Sequence, residues 1–333
     1  MILRRNFFMA KTYRWAIVGL GNIAHSFVKY FDQPDGEIYA VCSRSQAKAD
    51  AFAKDHQIPK AYGNLDDLLK DDKVDIVYVA TPHNYHIDTI LPALRAGKHV
   101  FSEKAITMSS DQLNIAKEVA ASNHLILAEA MTLYHMPLYE KLHEFAAERH
   151  LGNLKMVQAS FGSFKEPDPT NRFFNPDLAG GALLDIGVYA LAFVEEFLTA
   201  KPYITGTTMH RFSSGVDESE TITLRNANDE LATVALTFRA KMPKRGIVAY
   251  ENGYFTIDTY PRADEATFTD NTGHSEIIKA GDSTNAMNYE IADMQKMIAG
   301  ELHNTGLAKT TDVMDVMTAA RAQWDYRYPF ENN

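Results

Sequence analysis

The sequence has a single cysteine and no long apolar run, and both shortages restrict what this protein can be. Cys42 is the only cysteine among 333 residues, so neither an intramolecular disulfide nor a thiolate zinc cluster can form. One thiol suits a reducing compartment, and we expect a cytoplasmic location. No stretch approaches the ~18 consecutive apolar residues of a membrane span. The most apolar one, residues 183–197, contains an aspartate and two glutamates. We therefore expect no membrane partner.

Basic residues are also in the minority. Lys and Arg total 33 against 43 Asp and Glu, and the resulting formal charge of -10 argues against nucleic acid as the partner.

At roughly 100 to 200 residues per domain, the length favours two domains. Residues 1–10 contain two arginines but no apolar core of a signal peptide, so we expect a tail there, with Met9 as a candidate start.

The hydrophobic pattern divides the chain into two parts. From Tyr13 it alternates short apolar runs with amphipathic stretches, which is typical of a parallel sheet covered by helices. The strands predicted there are residues 13–18, 38–42, 74–80, 99–102 and 125–129. From about residue 152, β-rich runs and turn signals predict about eight strands, mostly antiparallel. Helices are predicted at 181–198, 285–299 and 311–324. We predict an α/β protein with a doubly wound parallel-sheet domain over 11–130 and an α+β domain over 131–333.

The first predicted strand runs directly into a glycine turn and then a helix, the context of a dinucleotide-binding fingerprint. Gly19 would permit the tight turn, Gly21 would let the backbone approach a pyrophosphate, and Ala24 would allow close helix packing. The predicted cofactor contacts in this segment are Gly19, Gly21, Asn22, Ile23 and Ala24. The alternative is an ordinary glycine turn between a strand and a helix.

The end of the second predicted strand bears on the choice of cofactor. An acidic residue there accepts hydrogen bonds from the ribose 2′-hydroxyl of NAD. Here the strand ends in Ser43 and Arg44, and an arginine can pair with a 2′-phosphate. We therefore predict NADP as the preferred cofactor, with Ser43 and Lys48 assisting, and NAD as the other option. Alternatively, Arg44 is a solvated surface charge.

Polar residues follow the next two apolar strands, at the sheet edge where open α/β proteins bind ligands. The residues predicted to surround the nicotinamide are Thr81, Pro82, His83, His86, Glu103 and Lys104. Further on, Asp185 and Tyr189 lie four residues apart on one face of an apolar helix. These two side chains either satisfy each other or meet Lys104 beside the nicotinamide.

Two further features leave alternatives open. Arg172 precedes the apolar helix and is either a contact to substrate hydroxyls or cofactor phosphate, or part of a surface salt bridge. His83 and His86, with His25, lack thiolates or a matching carboxylate spacing, so we expect no metal site.

Taken together, these motifs resemble the Gfo/Idh/MocA oxidoreductase family over nearly the whole chain. The matching residues are Gly19-x-Gly21-x-x-Ala24, Thr81-Pro82 with His86, Glu103-Lys104 and Gly180-Gly181-x-x-x-Asp185. The resemblance implies a Rossmann domain, then a substrate-binding domain whose open sheet builds homodimers or homotetramers and whose C-terminal helix can pack back on the first domain.

Two positions depart from the usual family pattern. Ala105 replaces a proline, which puts any backbone shape that depends on that proline in question, and Tyr189 replaces a histidine. The DIGVY run, and Glu129-Ala130-Met131, are similar to the branch of dimeric dihydrodiol dehydrogenases and NADP-dependent D-xylose dehydrogenases. The TLYH that follows departs from that branch, so substrate contacts of this segment do not transfer.

The resemblance and the residues together predict an NAD(P)-dependent oxidoreductase acting on a secondary alcohol or carbonyl of a sugar, polyol or dihydrodiol. Lys104 would hydrogen-bond the reacting oxygen and favour the phenolate of Tyr189, the first choice for proton transfer, while Asp185 orients the pair. The roles of Lys104 and Tyr189 could be exchanged. The alternatives are a non-catalytic NADP-binding sensor and a reductase of a different carbonyl or imine.

Overall fold

Six parallel strands form the first sheet of the computed structural model, which describes residues 11–332. The sheet order is β3-β2-β1-β4-β5-β6. Its strands are β1 (Tyr13–Val18), β2 (Gly36–Cys42), β3 (Lys60–Tyr62), β4 (Ile76–Val79), β5 (His99–Glu103) and β6 (Leu127–Ala130). The predicted doubly wound sheet is confirmed, with strand ends that differ by up to two residues. The three-residue β3 was not predicted because it is too short to show a pattern. The tail expected at residues 1–10 lies outside the described residues.

Five helices cover the two faces of this sheet, which is why its strands are apolar on both sides. They are α1 (Asn22–Tyr30), α2 (Gln46–His56), α3 (Leu65–Leu69), α4 (His86–Arg95) and α5 (Ser110–Ser122). Local sequence determines where two of these helices begin. The Asn64 side chain accepts a hydrogen bond from Asp67 N at 2.9 Å to begin α3, and Ser109 does the same for α5 at 3.4 Å.

The second sheet has eight strands in the order β14-β13-β12-β11-β7-β10-β9-β8, and only β7 and β10 run parallel to each other. It follows helix α6 (Pro137–Glu148). Its strands are β7 (Leu154–Gly162), β8 (Tyr203–Arg211), β9 (Asp217–Arg225), β10 (Leu231–Thr237), β11 (Met242–Tyr250), β12 (Gly253–Asp258), β13 (Glu265–Asp270) and β14 (Ser275–Lys279). The predicted mostly antiparallel sheet is confirmed.

One apolar helix packs on the inner face of this second sheet. A π-helical turn at Leu183–Gly187 leads into α7 (Val188–Phe197), where one long helix was predicted. The packing is close, since a Cβ on Gly246 of β11 would lie 2.1 Å from the Phe193 ring. Pro176–Phe197 is long and apolar enough to cross a membrane, but 78% of its most apolar window is buried inside the fold. The core packing therefore accounts for its composition.

The last two helices, α8 (Ala286–Ala299) and α9 (Gly306–Gln323), return to the first domain. The Trp15 indole donates to Gln295 of α8 at 3.1 Å, and Thr310 of α9 donates to Glu129 of β6 at 2.7 Å. α9 begins five residues before its predicted start. These contacts hold the two sheets on either side of one cleft.

Candidate active site

A cleft of about 1060 Å³ lies between the two domains at the carboxyl ends of β1, β2, β4 and β5. The glycine turn lines one part of it, and Lys104, Asp185 and Tyr189 line another. The structure brings all the predicted site residues to this cleft except Ala24, which is fully buried in α1. The cleft also has the position that open α/β sheets use for ligands.

The glycine turn has the geometry that a dinucleotide requires. Gly19 has a φ of +95°, and a Cβ there would lie 2.6 Å from the carbonyl carbon of Ala80 and 2.7 Å from Thr81 N. A Cβ on Gly21 would meet no atom within 4 Å, so the turn faces open space at the start of α1. Free N–H groups and the positive end of the helix dipole therefore face the cleft, as a pyrophosphate needs. The residues present fit this cofactor.

Ser43, Arg44 and Lys48 line the cleft beyond the end of β2. The Arg44 guanidinium carbon lies 5.4 Å from the centre of the Tyr85 ring, and Tyr85 also lines the cleft. Arg44 thus faces the ligand space at the place where an NAD-binding protein carries a carboxylate.

The partly buried His83 and the buried His86 hold the loops at the Lys104 end of the cleft. His83 Nε2 lies 3.0 Å from Lys104 O, and the His86 ring lies 2.9 Å from the carbonyl oxygens of both Ala105 and Thr81. Burial lowers the pKa of His86 to about 4, so at neutral pH the ring donates one of these hydrogen bonds. The Lys104–Ala105 peptide is cis.

The third histidine lies elsewhere. His25 Nδ1 is 2.8 Å from His56 Nε2, so the structure does not bring the three histidines together. Within residues 11–332, no group of three His, Cys, Asp or Glu side chains could hold a metal ion.

Asp185 and Tyr189 meet Lys104 in the cleft, which is the second of the two interpretations that the sequence left open. Lys104 Nζ donates to the backbone oxygen of Asp185 at 2.8 Å and to its Oδ1 at 3.2 Å. The same Nζ lies 4.8 Å from the centre of the Tyr189 ring. The side chains of Lys104 and Asp185 are 14% and 15% exposed. The Asp185 carboxylate therefore forms an ion pair with the Lys104 ammonium, and no hydrogen bond joins Asp185 to Tyr189 in the described part of the chain.

The sequence left open whether Arg172 contacts a ligand or forms a surface salt bridge, and its position is compatible with both. Its Nη2 lies 3.5 Å from Asp185 Oδ1, while its side chain is 64% exposed and lines the cleft. It is an ion-pair partner that also faces the ligand space.

Burial and charge set the protonation states of the three groups. Burial raises the pKa of Asp185, but Lys104 and Arg172 outweigh it and hold the pKa at about 2. Burial lowers the pKa of Lys104, but Asp185, Tyr189 and Glu103 raise it above its ordinary value. At neutral pH the pair is therefore an ammonium and a carboxylate.

Burial and the Lys104 charge act in opposite directions on the protonation state of Tyr189. Burial raises its pKa more than the Lys104 charge lowers it, and the pKa lies above its ordinary value. Lys104 therefore favours the phenolate as expected, but burial outweighs it, and Tyr189 is a neutral phenol at neutral pH. The cost of placing a phenolate in a buried site outweighs one nearby charge.

Several cleft residues were not predicted. Arg262, Met287 and Glu290 come from the second domain, where no motif marks them. Glu290 is 2% exposed, and its Oε2 has no hydrogen-bond partner in the part of the chain that the structure describes. Burial and Glu103 raise its pKa well above the ordinary value.

Glu129 has a positioning role that its sequence context does not reveal. Its Oε1 accepts from Ile106 N at 2.9 Å, and its Oε2 accepts from Thr310. It thereby holds the backbone two residues after Lys104 and joins it to α9.

A phosphate-binding turn at one end of a cleft and an amine, carboxylate and phenol at the other define a nicotinamide-dependent oxidoreductase. The comparison with family models agrees with this class. The NAD-binding Rossmann-fold model of the Gfo/Idh/MocA oxidoreductases matches residues 13–131, and the model of the Gfo/Idh/MocA C-terminal domain matches residues 139–256. The chain belongs to the Gfo/Idh/MocA family.

Relatives with assigned names include dihydrodiol dehydrogenases. The chain is 32% identical over 257 residues to trans-1,2-dihydrobenzene-1,2-diol dehydrogenase of Xenopus tropicalis, covering 73% of this chain and 74% of that protein. It is 34% identical over 216 residues to the Homo sapiens protein of the same name, covering 64% of each chain.

Solved structures share the fold across both domains. The 3-ketoreductase KijD10 from Actinomadura kijaniata, in complex with NADP and TDP-benzene, has a TM-score of 0.83 at 24% identity and covers 94% of this chain and 98% of its own. A levoglucosan dehydrogenase in complex with NADH has a TM-score of 0.82 at 16% identity, with the same coverage. At these identities the likeness concerns the fold.

Proposed function

We propose that this protein is an NADP-preferring oxidoreductase that interconverts a secondary alcohol and its carbonyl on a sugar, polyol or dihydrodiol. The observation that carries the proposal is the convergence of Lys104, Asp185 and Tyr189 in the cleft that begins at the Gly19 turn. Oxidation of an alcohol beside a nicotinamide needs a group that transfers the proton and a group that stabilises charge on the reacting oxygen, and these side chains can supply both.

The protonation states favour a division of labour among the three side chains. When bound, the nicotinamide supplies or accepts the hydride. Tyr189, a neutral phenol, donates its proton to the carbonyl oxygen in the direction of reduction and accepts it back in oxidation. Lys104 stabilises negative charge on the reacting oxygen and on the phenolate, and Asp185 keeps the Lys104 ammonium in place.

The position of Arg44 supports NADP as the preferred cofactor. Arg44 faces the cleft where a carboxylate would bind the ribose of NAD, and a guanidinium suits a phosphate dianion. KijD10, which has the same fold, was solved with NADP. The levoglucosan dehydrogenase was solved with NADH, so proteins of this fold serve either cofactor and the side chains around the ribose make the choice.

The names of the relatives support the alcohol or carbonyl substrate. Dihydrodiol dehydrogenases at 32% identity over most of the chain favour a vicinal diol, and the ketoreductase and levoglucosan dehydrogenase favour a sugar ring. In each case a carbon bearing a hydroxyl or carbonyl is the reacting centre.

The test is to incubate the purified protein with NADP+ or NAD+ and a panel of aldoses, inositols and trans-dihydrodiols, following the absorbance of the reduced nicotinamide. We expect turnover on at least one group, with a higher kcat/KM for NADP+. Tight NADPH binding without turnover anywhere on the panel would favour a sensor and contradict the proposal.

We also propose a homodimer or homotetramer, in the cytoplasm, formed through the outer face of the second sheet. That face carries exposed apolar side chains, among them Tyr254 at 39% and Ile277 at 61%. Exposed apolar groups on a broad sheet favour a partner surface. Light scattering on the eluted protein measures the assembly directly.

A further inference from the structure

We propose that the substrate carries a carboxylate or phosphate group, bound by four side chains that we call the outer cation set: Lys165, Arg172, Lys244 and Arg262. This inference rests on the proposed function, because it specifies the substrate class of the same site. It is carried by the placement of these cations, with Arg172 and Arg262 lining the cleft and Lys165 and Lys244 lying against the Phe173 and Phe161 rings, and by their shortage of acidic partners.

Two of these cations share one aromatic ring at the edge of the cleft. Lys165 Nζ lies 4.1 Å from the centre of the Phe173 ring, and the Arg172 guanidinium carbon lies 4.5 Å from the same centre. Phe173 lines the cleft, and Arg172 reaches Asp185 at 3.5 Å. The pair is therefore adjacent to the reacting groups.

The other two cations approach from strand β11 and from the short turn Tyr260–Arg262 that follows β12. Lys244 Nζ lies 4.6 Å from the centre of the Phe161 ring, which is itself 6.3 Å from the Tyr189 ring. Lys244 lies two residues before Gly246 in β11, and Gly246 faces Phe193 of α7, so Lys244 belongs to the sheet face against which α7, with Tyr189, packs. Arg262 lines the cleft itself.

Few carboxylates neutralise this set. In residues 11–332, Lys165, Lys244 and Arg262 have no carboxylate oxygen within 4.0 Å, and Arg172 shares Asp185 with Lys104. Burial lowers the pKa of Lys244, and the nearby Lys165 and Arg262 lower it further. Like charges held together without counterions repel one another, and a bound anion relieves that repulsion.

The three carboxyl groups of the region do not replace such a ligand. Asp185 is bound to Lys104, and Glu103 accepts from the Tyr78 hydroxyl at 2.5 Å. Burial raises the pKa of Glu290 well above its ordinary value, which favours the neutral acid. The cationic character of the pocket therefore persists at neutral pH.

The cofactor phosphates do not account for the set either. The glycine turn and Arg44 lie on the first domain, whereas the outer cation set comes from the second domain, with its aromatic contacts on Phe161 and Phe173. An oxyanion on the substrate side of the reacting carbon matches this position.

The first test is a binding experiment on NADP+-saturated protein, in which the cofactor already fills its own phosphate sites. D-glucose, D-glucuronate and D-glucose 6-phosphate are titrated by calorimetry at low salt. We expect at least one anion to bind about tenfold more tightly than glucose, since each partly exposed ion pair contributes up to about fivefold. The stronger of the two anions distinguishes a carboxylate from a phosphate.

The variant Lys165→Gln/Lys244→Gln should remove this preference. A matched control, Lys54→Gln/Lys73→Gln, makes the same change in net charge at two exposed residues of the first domain that do not belong to the outer cation set, and should keep the preference. Equal binding of glucose and both anions would overturn the inference, and so would an equal loss in the control.

Turnover on the same three compounds and on the neutral panel separates this inference from the proposed function. Anion binding that depends on the two lysines, without oxidation of any compound, would leave the site in place and contradict the oxidoreductase proposal. Oxidation of neutral polyols with no preference for anionic members would support the oxidoreductase and overturn the anionic substrate.

Discussion

Replacing Lys104 with methionine removes the one cation of residues 11–332 that hydrogen-bonds Asp185, and the structure lets its effects on stability and on turnover be separated. Lys104 Nζ makes contacts of 2.8 and 3.2 Å to Asp185, and both side chains are largely buried. Breaking a buried pair by removing one partner costs about 3–5 kcal/mol. Arg172 remains at 3.5 Å and is largely exposed, so we expect a loss of about 3 kcal/mol in the free energy of unfolding.

Turnover should fall independently of stability. A positioned group that stabilises charge on the reacting oxygen contributes about 10²–10³-fold to rate, so Lys104→Met should lower kcat by that factor while NADPH affinity stays nearly unchanged. The double variant Lys104→Met/Asp185→Asn leaves no unpaired buried carboxylate. It should regain most of the lost stability in urea unfolding without regaining turnover.

Three assays decide the outcome: urea unfolding, NADPH fluorescence titration and kcat on the best panel substrate. If Lys104→Met keeps kcat within a few-fold of the wild type, Lys104 does not act on the reacting oxygen. If the double variant recovers turnover together with stability, the role of Lys104 is structural and the assignment is wrong.

Three more changes test other parts of the structure. Arg44→Ser should raise the KM for NADP+ about 10–100-fold and leave that for NAD+ nearly unchanged, because it removes a charge-assisted hydrogen bond to phosphate; equal KM changes would contradict this role. Glu195→Gln should raise the free energy of unfolding by up to about 5 kcal/mol at pH 8 and by little below pH ~4.5, as measured in urea. Burial and Asp312 raise the Glu195 pKa to about 8, so wild-type stability present at low pH is lost as pH rises between the two pKa values; a gain independent of pH would refute this. Gly19→Ala should abolish NADPH binding in a fluorescence titration, because its Cβ would lie 2.6 Å from the Ala80 carbonyl group; wild-type affinity would show that the turn is not the pyrophosphate site.

Local sequence was enough for most of the fold. Strands buried on both faces are continuously apolar, and Asn64 and Ser109 mark helix starts by hydrogen bonds that span only three residues. The strand β3 was missed because a three-residue strand has no period, and the start of α9 was missed because its first residue is Gly306, and glycine disfavours a helix.

The candidate site was predictable only in part. Residues that follow strand ends, such as Gly19 and Lys104, could be placed because parallel strands bring their carboxyl ends to one edge. Glu290 and Arg262 could not be placed, because each lies in an element without a motif and reaches the cleft only through the packing of the second domain.

The amino-acid sequence by itself specified the glycine turn and the two types of sheet, because these depend on spacings of a few residues. It also identified an amine, a carboxylate and a phenol as the candidate reacting groups. The tertiary structure alone decided how those groups are charged and what surrounds them. The pKa of Tyr189 depends on burial and on charges from residues far apart in the chain, and the outer cation set is likewise assembled from distant residues. Both exist only once the chain is folded.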